Sequence, residues 1–145
     1  MHKTFYASGF LYHLPSEQIL LQQQPSTSTV TSPWSLFSKS HTENEEAEVI
    51  FKNIISDLLG INIDTVQTVY SYLNEEKNIY QSIIYSELNE LKTFPPKNGV
   101  TYKWFSFKDV IKLRIPEQTK HDLVVSKRVI DATARKSRGE FTSKS

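Results

Sequence analysis

Residues Thr4 to His13 are aromatic, β-branched or small at nearly every position, and no other segment constrains the fold as strongly. A period of two places Phe5, Ala7, Gly9 and Leu11 on one side of a strand and Tyr6, Phe10 and Tyr12 on the other. A strand that is apolar on both sides belongs inside a sheet covered on both faces. Leu14-Pro15-Ser16-Glu17 is a turn, and Gln18 to Gln23 is a second strand with Ile19 and Leu21 on one face. The two segments read as a hairpin.

The cover for such a sheet is visible further along. Glu43 to Leu59 reads as a helix, with Thr42 as N-cap and Glu45 completing a capping box. Glu43, Glu45, Glu46 and Glu48 load its positive end, and Glu48 and Lys52 have the spacing of an i,i+4 ion pair. Ala47, Ile50, Phe51, Ile54, Ile55, Leu58 and Leu59 form a broad apolar stripe, and Gly60 is placed to end the helix. Strands follow at about Thr65 to Leu73, Asn78 to Leu88 and Thr101 to Phe105, then a short helix from Phe107 to Leu113 and a longer one from Glu117 to Ala134. The order predicts an α+β chain, an α-β-α sandwich with a mixed β-sheet flanked by helices. With 145 residues it is read as one domain over residues 1–135. Pro25 to Pro33, rich in Ser and Thr, reads as a flexible loop, and the basic tail 136–145 reads as disordered.

Composition narrows the functions. There is no cysteine, which excludes a disulfide scaffold, thiolate zinc sites and a cysteine nucleophile. The formal net charge of +1 supplies no global field for nucleic acid or an anionic membrane. No apolar run is long enough to span a bilayer, and the first residues lack an apolar signal core, so a cytoplasmic protein is expected. Ser8, Ser35 and Ser38 lack the G-x-S-x-G elbow and ordered His-Asp pair that a serine nucleophile needs. His2, His13, His41 and His121 are scattered, without metal-ligand spacing.

The segment from Trp34 to Ile61 resembles the box of the Nudix hydrolases, G-x5-E-x7-R-E-U-x-E-E-x-G-U, where U is a bulky aliphatic residue. Counting from Trp34 without a gap puts Glu45 on the first glutamate, Ile55 on the internal aliphatic position and Gly60-Ile61 on the closing pair. Tyr102 to Val110, with Trp104 and Phe105 followed by Ser106-Phe107-Lys108-Asp109, resembles the late strand and short helix of that family, and the opening hairpin resembles its first two strands. The resemblance implies a Nudix fold over nearly the whole chain, with a cleft for a nucleoside diphosphate linked to another group.

The catalytic core of that box is altered. In the family its glutamates hold magnesium or manganese and help activate water; here the core reads Asn53-Ile54-Ile55-Ser56-Asp57-Leu58. Only Asp57 keeps a carboxylate there, and the opening glycine is Lys39. Such an ion needs several oxygen ligands at once. The chain is therefore expected to have lost metal-dependent pyrophosphohydrolase activity, to need no cofactor, and to bind a nucleotide-type ligand or a protein partner. The widened apolar stripe and an exposed strand edge also suit a homodimer. Glu45 and Asp57 are the relic catalytic and metal candidates, and Trp34, Phe37 and Lys39 are the candidate ligand contacts. The competing expectation is an active hydrolase of a nucleoside diphosphate derivative, with magnesium or manganese held by Glu43, Glu45, Glu46 and Asp57.

Overall fold

The computed structural model describes residues 3–137. In chain order the elements are β1 (Thr4–His13), β2 (Gln18–Gln23), β3 (Trp34–Ser35), β4 (Phe37–His41), α1 (Ala47–Leu59), β5 (Gln67–Asn74), β6 (Ile79–Glu87), β7 (Thr101–Ser106), α2 (Phe107–Val110) and α3 (Glu117–Ser137). The sheet has seven strands and is mixed. On one side β1 runs parallel to β6 along nearly its whole length, from Thr4 opposite Ile79 to Tyr12 opposite Glu87. Strand β5 follows antiparallel to β6, and β7 lies antiparallel to β2.

The other side of β1 is divided between two partners. It pairs with β2 from Leu11 to His13, beside the hairpin turn, and with β4 from Phe5 to Gly9. Strand β2 likewise leaves β1 and pairs at Gln22 and Gln23 with β3. The hairpin strands thus splay, and the segment from Trp34 to His41 is wedged into the fork. Leu36 is the residue at which the wedge changes partner, and the Gln22 side-chain amide donates to its carbonyl at 3.2 Å. This fork opens the sheet surface and positions the cleft described below.

Helix α1 covers one face. Its Ile50, Phe51, Ile54 and Ile55 pack with Ala7, Leu11, Leu20, Phe37 and Ile84 of the sheet. The contact is close because residue 9 is glycine: a Cβ there would lie 2.1 Å from the Ile84 carbonyl oxygen and 2.7 Å from the Phe51 ring. Helices α2 and α3 cover the opposite face, where Val110, Leu123 and Ile130 meet Phe10, Tyr12, Ile19, Leu21, Ile83 and Tyr85. Full burial of each such side chain is worth about 1.5–3 kcal/mol, so both faces contribute to holding the sheet. The two-sided strand and the α-β-α sandwich expected from the sequence are both present.

Several local expectations need correction. Helix α1 begins at Ala47, not Glu43, and Glu46 at its N-cap makes no side-chain capping bond. Thr42 and Glu45 instead close a separate turn, in which the Glu45 N–H donates to the Thr42 carbonyl and the Glu45 carboxylate accepts from the Thr42 N–H. Residues 42–46 carry no apolar side chain that helix formation could bury, and three of them are glutamates that would crowd one another. Glu48 does not pair with Lys52; its carboxylate accepts from the Thr68 hydroxyl at 2.7 Å and ties α1 to β5. An exposed ion pair is worth little, and the cross-element bond prevails. The segment after Trp34 continues as strand β4 despite its polar Ser38, Lys39 and Ser40, because the open edge of β1 supplies the pairing. Helix α2 ends at Val110, short of Leu113, and α3 runs on to Ser137, so residues 136 and 137 of the expected tail are helical. The remainder of that tail, including Arg138, lies outside the described residues. The 25–33 segment forms neither strand nor helix and closes on itself, with Ser32 bonded to Pro25 and Ser26, and Arg114 donating to the Thr31 carbonyl.

Candidate functional site: a polar cleft and an altered metal edge

On α1 the positions that would carry the metal-holding face are Ile54, Asp57 and Leu58. Ile54 is 5 % exposed and belongs to the core beneath the helix, whereas Leu58 is 36 % exposed. The aliphatic replacements are therefore unequal: one is packed by neighbouring side chains and the other stands at the surface. Asp57 is exposed. Glu45 sits on the turn before the helix, where the Thr42 N–H, aided by the Thr42 hydroxyl, holds its carboxyl below the usual range. About 15 Å of helix separates Glu45 from Asp57, too far for one ion whose ligands must lie within about 2.6 Å of it. Among the described residues no group of three or more His, Cys, Asp or Glu side chains could hold a metal ion. The residues on this edge do not fit a catalytic divalent cation.

The opposite face presents a different chemistry. Where the sheet forks, a cavity of about 370 Å³ opens between the strands and α3. Its floor is built by the period-two alternation of the strands, which turns Ser8 of β1, Ser38 of β4 and Gln81 of β6 to the α3 side. The Ser8 hydroxyl donates to the Gln81 Oε1 at 3.0 Å. A hydroxyl has a single proton, so in the 2.5 Å contact between Ser8 and Ser38 it is Ser38 that donates. Gln22 of β2 forms one wall with Ser35 and Leu36 of the wedge, and Asn74 and Lys77 stand at the β5–β6 end.

The roof is the first half of α3, through Gln118, Thr119 and Asp122. Asp122 is 2 % exposed. A carboxylate removed from water is costly unless its oxygens are satisfied. Here Oδ1 accepts from the Tyr70 hydroxyl at 2.5 Å and from the Gln118 amide at 3.0 Å, and Oδ2 accepts from the Tyr72 hydroxyl at 3.2 Å. Burial, followed by the Asp122 charge, pushes the Tyr72 phenol up to about 12, and the same neighbourhood pushes Tyr70 higher. Both hydroxyls therefore remain donors across the whole neutral range. The network ends on Ser126, whose hydroxyl donates to the Asp122 carbonyl one turn below.

The ligand contacts expected from the sequence fall beside this cleft, not in it. Phe37 is wholly buried on the α1 side, stacked on Tyr102 at 6.0 Å, and has no face left for a ligand. Trp34 is half-buried, with its ring edge-on to Phe105 at 4.9 Å. Lys39 shares the alternation of Phe37 and points away from the cleft. Their neighbours Ser35, Leu36 and Ser38 line it instead. Asp122, Gln81 and Ser8 line the cleft, and the motif pattern does not mark them. A signal for Asp122 is present in the sequence: Thr119, Asp122, Ser126 and Ile130 recur at intervals of three and four and define one helical face, polar where the sheet-facing side of a cover helix should be apolar.

No family model matches the chain, and no curated protein matches it in sequence. Its three-dimensional arrangement does have solved counterparts. A mutT/nudix family protein from Listeria innocua superimposes with a TM-score of 0.71 at 11 % identity, covering 92 % of this chain and 97 % of that one. The NUDIX domain of Shewanella oneidensis NrtR, solved with ADP ribose, gives 0.69 at 10 % identity, covering 90 % of each chain. The C-terminal domain of mouse MUTYH, solved in complex with human PCNA, gives 0.67 at 12 % identity, covering 88 % of this chain and 89 % of that one. The identities are too low to carry activity across, but the superpositions take in 90–92 % of the chain, and this chain has the Nudix fold.

Proposed function

We propose that the chain is a binding module that takes a nucleotide-type ligand in the cleft beneath α3 and does not hydrolyse it. The observation that carries this is the contrast on the sheet's two sides: the position for a metal-holding glutamate is filled by a buried isoleucine, while the cleft keeps a bonded set of donors and acceptors around Asp122, Gln81 and Ser8. A volume near 370 Å³ suits a small ligand with several hydrogen-bonding edges. Lys77 at the mouth offers a cation to a phosphate group. The ADP ribose complex of the NrtR domain supports a nucleotide-type ligand, and the PCNA complex of the MUTYH domain supports the reading that a domain of this fold also serves protein partners.

The test pairs calorimetry with turnover. Purified protein is titrated with nucleoside triphosphates, nucleotide sugars, dinucleoside polyphosphates and ADP ribose, and phosphate or nucleotide release is followed with magnesium and with manganese. Binding that weakens at least about tenfold in Gln81→Ala, with no release on any substrate, is the expected result. Release abolished by Asp57→Ala and Glu45→Gln would overturn the proposal and show a rebuilt metal site. Absence of binding across the panel would also overturn it.

A further inference from the structure

Away from the cleft, α2 and α3 leave an apolar groove of about 370 Å³ between them. Phe107, Val110 and Leu123 form its buried floor. Ile111 and Val124 stand on its lips, 54 % and 41 % exposed. On α3 the groove residues Val124, Lys127, Arg128 and Asp131 recur at intervals of three and four, so one helical face presents them together. Gln118, Thr119 and Asp122 of the same helix line the cleft on the sheet side, so the groove is a second surface and does not depend on the reading of the first.

Charge selects the occupant. Lys108 and Arg128 line the groove and are exposed. Lys127 is engaged by Asp131 at 2.7 Å, which neutralises both. Among the described residues, Lys108 and Arg128 make no ion pair, so the groove carries two uncompensated positive charges beside exposed hydrocarbon. We propose that this groove docks an acidic amphipathic segment of another protein: a short helix whose apolar side chains, three and four residues apart, cover Ile111 and Val124 while its carboxylates meet Lys108 and Arg128. Grooves with an apolar floor take amphipathic helices in this way, and the unpaired cations set the sign of the partner's charge. Nucleic acid would leave the apolar lips uncovered.

The experiment is selection of a random peptide library displayed on phage against the full chain, followed by fluorescence polarisation with the enriched peptides. Enriched sequences should carry Asp or Glu beside apolar residues at intervals of three and four. Their affinity should fall at least about tenfold toward the Lys108→Glu, Arg128→Glu double variant and toward Ile111→Asp, and should weaken as salt is raised. Those side chains are exposed, so thermal melts of the variants should overlay that of the parent; Ile111→Ala is the second variant if Ile111→Asp melts early. Failure to enrich any peptide, enrichment of neutral or basic sequences, or binding indifferent to the variants would overturn the proposal. So would three rival occupants: a mixed-sequence RNA oligonucleotide that displaces the peptides and shows the same variant sensitivity, a chain ending at Ser137 that binds them far more tightly, or a concentration-dependent mass abolished by Ile111→Asp.

Discussion

The two long helices on opposite faces of the sheet, α1 and α3, have exchanged the chemistry expected of them. Helix α1, which occupies the place of a metal-binding box, turns Ile54 and Ile55 into the core and leaves one exposed carboxylate, Asp57, at its end. Helix α3, which carries no recognised motif, buries a carboxylate at Asp122 and a hydroxyl at Ser126. The difference teaches where a small domain can keep polar groups out of water. Asp122 is tolerated because two phenols and an amide reach it, whereas the sheet residues beneath α1 include Ala7, Leu11, Leu20, Phe37 and Ile84, whose side chains are hydrocarbon and cannot donate to a buried acid. Polarity in the interior follows the available partners, whatever the motif around it.

The sharpest way to break this contrast is to restore the box. Ile54→Glu places a carboxylate among the hydrocarbon of the α1 side. An unpaired buried charge should destabilise the fold by about 4 kcal/mol, seen as a lower urea midpoint. Leu58→Glu, at the surface, should cost about 0.5 kcal/mol or less. A double variant that recovers its stability on adding manganese would show that the edge still closes around a metal, and the contrast between the helices would then be one of composition only.

On the other face, Asp122→Ala removes the acceptor shared by Tyr70, Tyr72 and Gln118. Leaving the two half-buried phenols without their acceptor should cost about 2 kcal/mol, while the exposed Gln118 amide can turn to water. Asp122→Asn should cost less, because its amide oxygen still accepts from one of them. Equal and small losses in both variants would mean that water replaces the carboxylate and that the roof of the cleft is wet. Ser8→Ala is milder: it deletes the bond to Gln81 and the one from Ser38, worth about 1 kcal/mol of stability. It should affect ligand affinity more than the urea midpoint.

How much of this is legible in the sequence depends on whether a signal is local. The two-sided strand β1 announces a covered sheet because every residue of it is committed, and the stripe from Ala47 to Leu59 announces its partner. The box pattern from Trp34 to Gly60 locates α1 to within a few residues even though its chemistry has changed. The start of the helix is ambiguous in sequence because Thr42 and Glu45 satisfy each other in a turn as readily as at a helix end. The cleft lies one residue along the chain from the candidates the sequence offers. Trp34, Phe37 and Lys39 stand out by size and charge, but strand alternation sends Phe37 to the opposite face and leaves Ser38 in the cleft. The polar face of α3 marks Asp122, but what satisfies it is illegible for another reason: its partners Tyr70 and Tyr72 are 52 and 50 residues away in sequence, and only the sheet brings them together.

The smallest expected effect compares phenols on the two faces. Tyr72, under α3, is raised to about 12 by burial and then by the Asp122 charge, whereas Tyr102, on the α1 side, is raised by burial alone. In each case the folded protein holds the proton more tightly than the unfolded chain, whose phenols titrate at the ordinary value of 10.0. The stability linked to these groups is therefore complete below pH 10 and is lost as pH rises from there toward about 12. Around neutrality these phenols should leave the urea midpoint unchanged. Above pH 10 the midpoint should decline, with tyrosinate absorbance growing in step with unfolding. Asp122→Asn should bring the onset of ionisation at Tyr72 to lower pH, by removing a charge that opposes phenolate, and leave Tyr102 unmoved. Phenols assigned by replacing each with phenylalanine would separate the two. If Asp122→Asn shifted neither onset, burial alone would set both values, and the faces would be electrostatically alike at their tyrosines.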